Sequence, residues 1–271
     1  MVPPEPSALV GIALAAWLYA RGVRRLWRRA GRGHVVQPWQ AACFAGGLVS
    51  LLVALESPLD ALSEALFAAH MVQHLLLIVL AAPLLVLGAP LAPLLWALPA
   101  ASRRPVGAWW HQASWLARPA LAFGLHSLAL WAWHLPALYE AALASRGVHV
   151  LEHLSFVLTA ALFWWSLLHR GQAGYGVGVL YVFGLAIEST LLGALLTFSH
   201  NVWYTSHLGT TAAWGLSPLE DQQLAGLIMW VPGGVIYLVA ALSLFGLWLR
   251  ESSQPQPDRT PDPAARTPAH Q

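Results

Sequence analysis

The sequence contains no lysine and a single cysteine, Cys43. One thiol excludes a disulfide within the chain and any CxxC metal or redox motif, so a metal site here must use histidine, methionine, carboxylate or backbone. Charge is scarce too: 10% of the 271 residues are charged, against about 25% in ordinary soluble domains, and 58% are hydrophobic. That balance, with a positive mean hydropathy, indicates an integral membrane protein. All fourteen basic residues are arginine and the net charge is only +2, so the basic residues report topology and not nucleic-acid binding.

Seven stretches approach the roughly 20 apolar residues that span a hydrocarbon core. They run from Ser7 to Leu26, Trp39 to Leu55, Leu66 to Leu87, Pro119 to Leu135, Val148 to Leu168, Gly178 to Ser199 and Leu224 to Trp248. The fold class expected is all-α: a polytopic helix bundle with seven transmembrane helices over residues 1–250, and a proline-rich, disordered cytoplasmic tail over 251–271. The residues ahead of the first stretch carry no positive charge, so no signal peptide is expected. Arginines crowd the first connection (Arg21 to Arg32) and the third (Arg103, Arg104, Arg118), with Arg170 in the fifth and Arg250 after the last span. The positive-inside rule then puts the N-terminus outside and the C-terminus in the cytoplasm. Glu56, Asp60, Glu64, Glu140, Glu220 and Asp221 fall outside, and Pro58 to Phe67 reads as a short amphipathic helix on that surface. Fifteen tryptophans suit two lipid–water interfaces.

Against this background two motifs stand out, HMVQH at His70 to His74 and HVLEH at His149 to His153. A spacing of four residues puts both imidazoles of a pair on one helix face, a turn apart. The two pairs begin the third and fifth spans, at matching height on the outer side. His134 closes the fourth span at the same side, His126 lies about 12 Å deeper on it, and His200 and His207 follow the sixth. Eight of twelve histidines thus fall in the outer half. Packing alone does not produce such sidedness, and imidazole is the commonest protein ligand for copper, zinc and iron. The expected metal ligands are His70, His74, His149 and His153, with His134 and Met229 as exchange ligands. Gln73 and Glu152 are placed to support the histidine rings, and Asp221 to attract a cation. His126 reads as a structural hydrogen-bonding residue, and Glu188, mid-span in the sixth helix, as a hydrogen-bonded carboxyl or part of a proton path.

Four ordered stretches also resemble a known family: HMVQHLLL followed by PLLVLGAP, WHLPALYEAAL, HVLEHLSFVLTAALFWW, and GLSPLEDQQLAGLIMWVPGG. Together they resemble the multi-span CtaG family of cytochrome c oxidase assembly factors, over about Glu56 to Trp248. The resemblance implies a multi-pass protein of the bacterial plasma membrane that helps to produce active haem-copper oxidase and to supply its copper. Its partners would be a nascent oxidase subunit and an extracytoplasmic copper chaperone, within the lipid bilayer. The positions matched by motif are His70, Gln73, His74, Trp133, His134, Pro136, His149, Glu152, His153, Asp221, Gln222, Gly226, Met229 and Trp230.

Three functions follow. The first is a non-enzymatic assembly factor holding copper transiently at the outer histidines. Without cysteine a tight Cu(I) site is disfavoured against a Cu(II) or mixed His/Met site. The second is a haem b or quinol-binding redox protein, since histidines on facing helices can ligate haem axially. The third is an intramembrane zinc metalloprotease, because HVLEH is formally an H-x-x-E-H sequence.

Overall fold

The computed structural model describes residues 6–169 and 174–253. Among them are twelve α-helices and no strand: α1 (Pro6–Ala30), α2 (Pro38–Glu56), α3 (Pro58–Ala65), α4 (Phe67–Leu75), α5 (Ala82–Leu87), α6 (Leu91–Ala97), α7 (Ala100–Ala113), α8 (Pro119–Trp133), α9 (Pro136–Ala144), α10 (Arg146–Leu168), α11 (Gly174–Thr197) and α12 (Pro218–Ser252). Pro38, Pro58, Pro119, Pro136 and Pro218 each open a helix, where the missing N–H is no loss and φ is already helical. Ser217 caps α12 in a reciprocal box with Glu220.

Five segments are long and apolar enough to cross a membrane: Pro38–Glu56, Phe67–Leu87, Arg146–Leu168, Gly174–Thr197 and Pro218–Ser252. A sixth forms if α8 and α9, bent by 75° at His134 and Leu135, count as one broken span. The expected seven are therefore five or six here. α8 alone has 15 residues, about 22 Å of helix, short of a core of roughly 30 Å. α1 is 25 residues long but carries five arginines in its last ten. α12, at 35 residues, reaches beyond the expected span at both ends. The short outer helix expected at Pro58 to Phe67 forms as α3, while Arg170 and residues 254–271 of the expected tail lie outside the described residues.

The arginine-rich connections meet at one end of the bundle. Arg25 donates to the carbonyls of Trp96 and Ala97 at 2.9 and 3.0 Å, capping the C-terminus of α6 with a cation, and the guanidinium of Arg103 lies over the Trp96 ring. Trp110 of α7 packs on Trp165 near the C-terminus of α10, so the histidine pair opening α10 lies at the opposite end.

Near that opposite end, α11 and α12 approach backbone to backbone. A Cβ on Gly226 would stand 2.5 Å from the Gly193 carbonyl oxygen, and one on Gly193 would stand 2.8 Å from the Trp230 side chain. Only glycine fits this crossing, the small-residue packing that joins helices in lipid. α4 packs against α12 and α10 against α8, and the two histidine pairs come face to face. Between α4 and α5 the chain makes a π-helical turn over Leu76–Ala81, directly after His74; such turns recur beside functional sites.

Candidate metal centre

The site begins with how α4 is held. Asp221, fully buried on α12, accepts hydrogen bonds from the backbone N–H groups of Phe67 (2.7 Å) and Ala68 (3.0 Å). Its charge meets the positive end of the α4 dipole and two of the four N–H groups that a helix start leaves unpaired. One turn on, Gln73 donates to the Ala54 carbonyl and to Asp60, both at 2.8 Å, tying the opposite face of α4 to α2 and α3. Clamped from both sides, α4 turns His70 and His74 toward α10.

α10 answers with His149, Glu152 and His153, which share a face at i, i+3 and i+4. The His70 ring lies 5.4 Å from that of His149 and 6.1 Å from that of His153; His74 lies 5.5 Å from His153. One ligand atom each from His70, His149, Glu152 and His153 falls within 4.8 Å of all the others. Glu152 sits between the helices, 3.7 Å from Nε2 of His70 and 3.5 Å from Nε2 of His74. His70 and Glu152 are fully buried, His74 and His153 nearly so, and His149 is partly buried.

The donor set fits a divalent metal. Both Glu152 oxygens and the Nε2 atoms of His70, His74, His149 and His153 are buried without a hydrogen-bond partner. Buried polar atoms are almost always paired, so a convergent set of free lone pairs has the chemistry to ligate a cation. With bonds near 2.0–2.1 Å, tetrahedral ligand atoms stand roughly 3.4 Å apart. The set is therefore slightly open, and small rotations inward would close it around an ion.

The other expected residues take other places. His134 ends α8 at the bend; its Nδ1 lies 2.7 Å from the Leu130 carbonyl and its ring is 6.2 Å from His74. A carbonyl only accepts, so Nδ1 carries the proton and Nε2 keeps a free lone pair. Met229 lies near His74 and His134 on the wall of a cavity of about 20 Å³ just below the cluster. His126 lies deeper, its Nδ1 2.9 Å from the Thr159 hydroxyl, and is not part of the cluster. Glu188 is half-buried on α11 and is not part of the cluster. Gln73 and Asp221 point at backbone and Asp60 rather than at imidazole, so they position α4 and do not touch the ligand atoms.

Over the cluster lies the 198–217 connection, a cover with no counterpart in the expectations above. Glu140 accepts from the backbone N–H groups of Thr205 and Ser206 and from both hydroxyls. Gln222 accepts from the Trp203 N–H at 2.7 Å and donates to the Asn201 carbonyl at 3.0 Å. Tyr204 donates to the His134 carbonyl at 2.9 Å, and Thr210 to that of Ala65 at 2.6 Å. His207 is the buried histidine of the cover, its Nε2 2.7 Å from the Tyr139 hydroxyl, while His200 is exposed. Burial holds the His207 imidazole below its ordinary value, against the opposing pull of Asp221 and Glu140. Tyr139 in turn sets its ring edge-on to His70 at 5.1 Å. The one sequence signal for this cover was the polar pair Tyr139–Glu140 just after the proline that restarts the chain at the bend.

The family model described as cytochrome c oxidase caa3 assembly factor (Caa3_CtaG) matches residues 17–251. The chain belongs to this family. An uncharacterized protein of Mycobacterium bovis and one of Mycobacterium tuberculosis are each 26% identical to it over 256 residues, 89% of this chain and 38% of theirs. A third, from Mycobacterium leprae, is 24% identical over 247 residues, 86% of this chain and 37% of that protein. The chain thus spans well under half the length of the mycobacterial relatives it matches. No solved structure matches it. The stretch shared with the caa3 assembly factor family takes in both histidine pairs, the bend at His134, the cover and α12.

Proposed function

We propose that this caa3 assembly-factor relative is a multi-pass protein of the bacterial plasma membrane that holds copper at its outer face and passes it to a nascent oxidase subunit. The observation that carries the reading is the convergence of His70, His149, Glu152 and His153 within 4.8 Å, with their Nε2 and carboxylate atoms unpaired. Family membership supports the oxidase as the partner, and an extracytoplasmic copper chaperone is the donor this reading requires. In this reading α1 is the seventh span, the arginine-rich end faces the cytoplasm and the cover faces outward. His149, the least buried of the set, is the side from which a metal would enter, and the open spacing of the set suits transfer better than a closed cage would.

Other readings have less support. Ring centroids 4.2 to 6.2 Å apart, above a cavity of about 20 Å³, leave little room for a macrocycle between the imidazoles. An H-x-x-E-H protease needs Glu152 free to activate water, whereas its oxygens lie against His70 and His74.

Metal analysis of protein purified in detergent from copper-replete cells tests the proposal, with wild type beside a His70→Ala/His74→Ala/His149→Ala/His153→Ala variant. About one copper per chain, lost in the variant together with oxidase assembly in the cell, is the expected result. Negligible copper in both would overturn it.

A further inference from the structure

We propose that the small cavity beneath the cluster is a second, softer metal subsite, formed by His134, His74, Met71 and Met229 and suited to a monovalent cation of the Cu(I) or Ag(I) class. The inference deepens the copper-handling reading and rests on it. The cavity holds about 20 Å³ and is lined by these four residues with Ser189, Tyr237 and aliphatic side chains. That is room for about one water-sized guest.

Three observations point to a metal. The chain has three methionines, and both that fall among the described residues line this one cavity, Met71 at 2% and Met229 at 5% exposure. The His134 ring is held with Nδ1 on the Leu130 carbonyl, the arrangement that fixes a metal-binding imidazole, and its buried Nε2 has no partner. His74 is common to both levels, 5.5 Å from His153 of the cluster and 6.2 Å from His134 of the cavity.

The two levels differ in the charge they can hold. The upper set includes Glu152, an anionic oxygen donor suited to a divalent ion. No carboxylate lines the cavity, whose donors are neutral imidazole and thioether in an apolar wall. Taking an ion out of water into such a wall is far less unfavourable for a single charge than for a double one, and thioethers prefer soft Cu(I). A monovalent cation that enters by the upper set would reach the cavity through His74, changing ligands with no change in its own charge.

The test loads the full chain in detergent, anaerobically, with Cu(I) alone, and in parallel with Co(II) alone as a reporter of the upper cluster. X-ray absorption of the Cu(I) sample is expected to show sulfur beside nitrogen in the first coordination shell. A Met71→Leu/Met229→Leu variant, which nearly conserves volume, should lose the sulfur and bind Cu(I) at least tenfold more weakly, with Co(II) binding unchanged. Glu152→Gln should do the reverse, weakening Co(II) and leaving the sulfur shell. A wild-type Cu(I) shell of nitrogen and oxygen only would overturn the subsite, even if the double variant failed to fold. Failure of wild type to take Co(II) would count against the upper cluster instead, so the two readings fail separately.

Discussion

Replacing Asp221 by Asn separates two roles for this residue, attracting a cation and holding a helix. The carboxylate is fully buried and places one oxygen on the Phe67 N–H at 2.7 Å and the other on the Ala68 N–H at 3.0 Å. An amide of the same shape keeps one acceptor and turns an NH₂ against the other N–H. One charge-assisted bond is lost, at about 1.5–3 kcal/mol, and the attraction of the α4 dipole for the charge goes with it, at about 1 kcal/mol. A loss of about 3 kcal/mol corresponds to roughly 6–12 °C in the melting temperature of a chain this size. Scanning calorimetry or tryptophan fluorescence in detergent would register the shift. Because α4 carries His70 and His74, Co(II) affinity should fall with it, and independently of salt. If Asp221 acted instead by long-range attraction, Asn would leave the melting temperature in place and slow metal association in a salt-dependent way. That pattern would refute the clamp.

Three further outcomes follow from other contacts. Tyr139→Phe removes the bond to His207 and leaves a buried ring nitrogen unpaired, so about 1–3 kcal/mol should be lost locally. Hydrogen exchange should quicken over residues 198–217 and not in α11. Gly226→Ala puts a methyl group 2.5 Å from the Gly193 carbonyl oxygen, and pushing the two helices apart should cost about 1–3 kcal/mol, read as a lower melting temperature with the rest of the fold intact. In a Cys43→Ser background, single cysteines at Ala8, Ser102 and Ser206 report topology through an impermeant maleimide on intact cells. Labelling at positions 8 and 206 but not at 102 is expected; protection of position 8 with labelling of 206 would remove α1 from the spans.

The histidine pairs were legible because the information is local. A four-residue spacing fixes a shared helix face, and the helix direction fixes the depth. The same rule made Glu152 legible as part of the set, since i+3 and i+4 fall on the face of His149, and one of its oxygens lies within 4.8 Å of ligand atoms of His70, His149 and His153. Asp221 read as an electrostatic lure because charge is visible in a sequence and its partner is not. In the fold Asp60 receives Gln73, Glu140 fastens Thr205 and Ser206, Glu220 caps its own helix and Asp221 holds α4. Those bonds join residues up to 154 positions apart, which no period announces. Five or six of the seven expected spans are met for a related reason: hydropathy registers how apolar Pro119 to Leu135 is, but not that the chain turns 75° before the helix is long enough to cross.

Glu152 contrasts with those engaged carboxylates, and the contrast sets the stability the metal should confer. It is fully buried, its oxygens unpaired and facing imidazoles. Without a cation such a group opposes folding, since the desolvation of a buried carboxyl is not offset by any hydrogen bond. Glu152→Gln should therefore leave the metal-free protein as stable as wild type, or more stable, because a neutral amide is easier to bury. Metal reverses the order. An ion that binds only the folded state adds about 2.7 kcal/mol at a hundred times its dissociation constant, and the variant, having lost the anionic ligand, should gain little at the same concentration. Melting temperatures of both proteins with and without Co(II) form a four-point test. Crossing lines are expected. Parallel lines, with wild type above the variant under both conditions, would mean that Glu152 is held by packing alone and that the cluster does not use it to bind an ion.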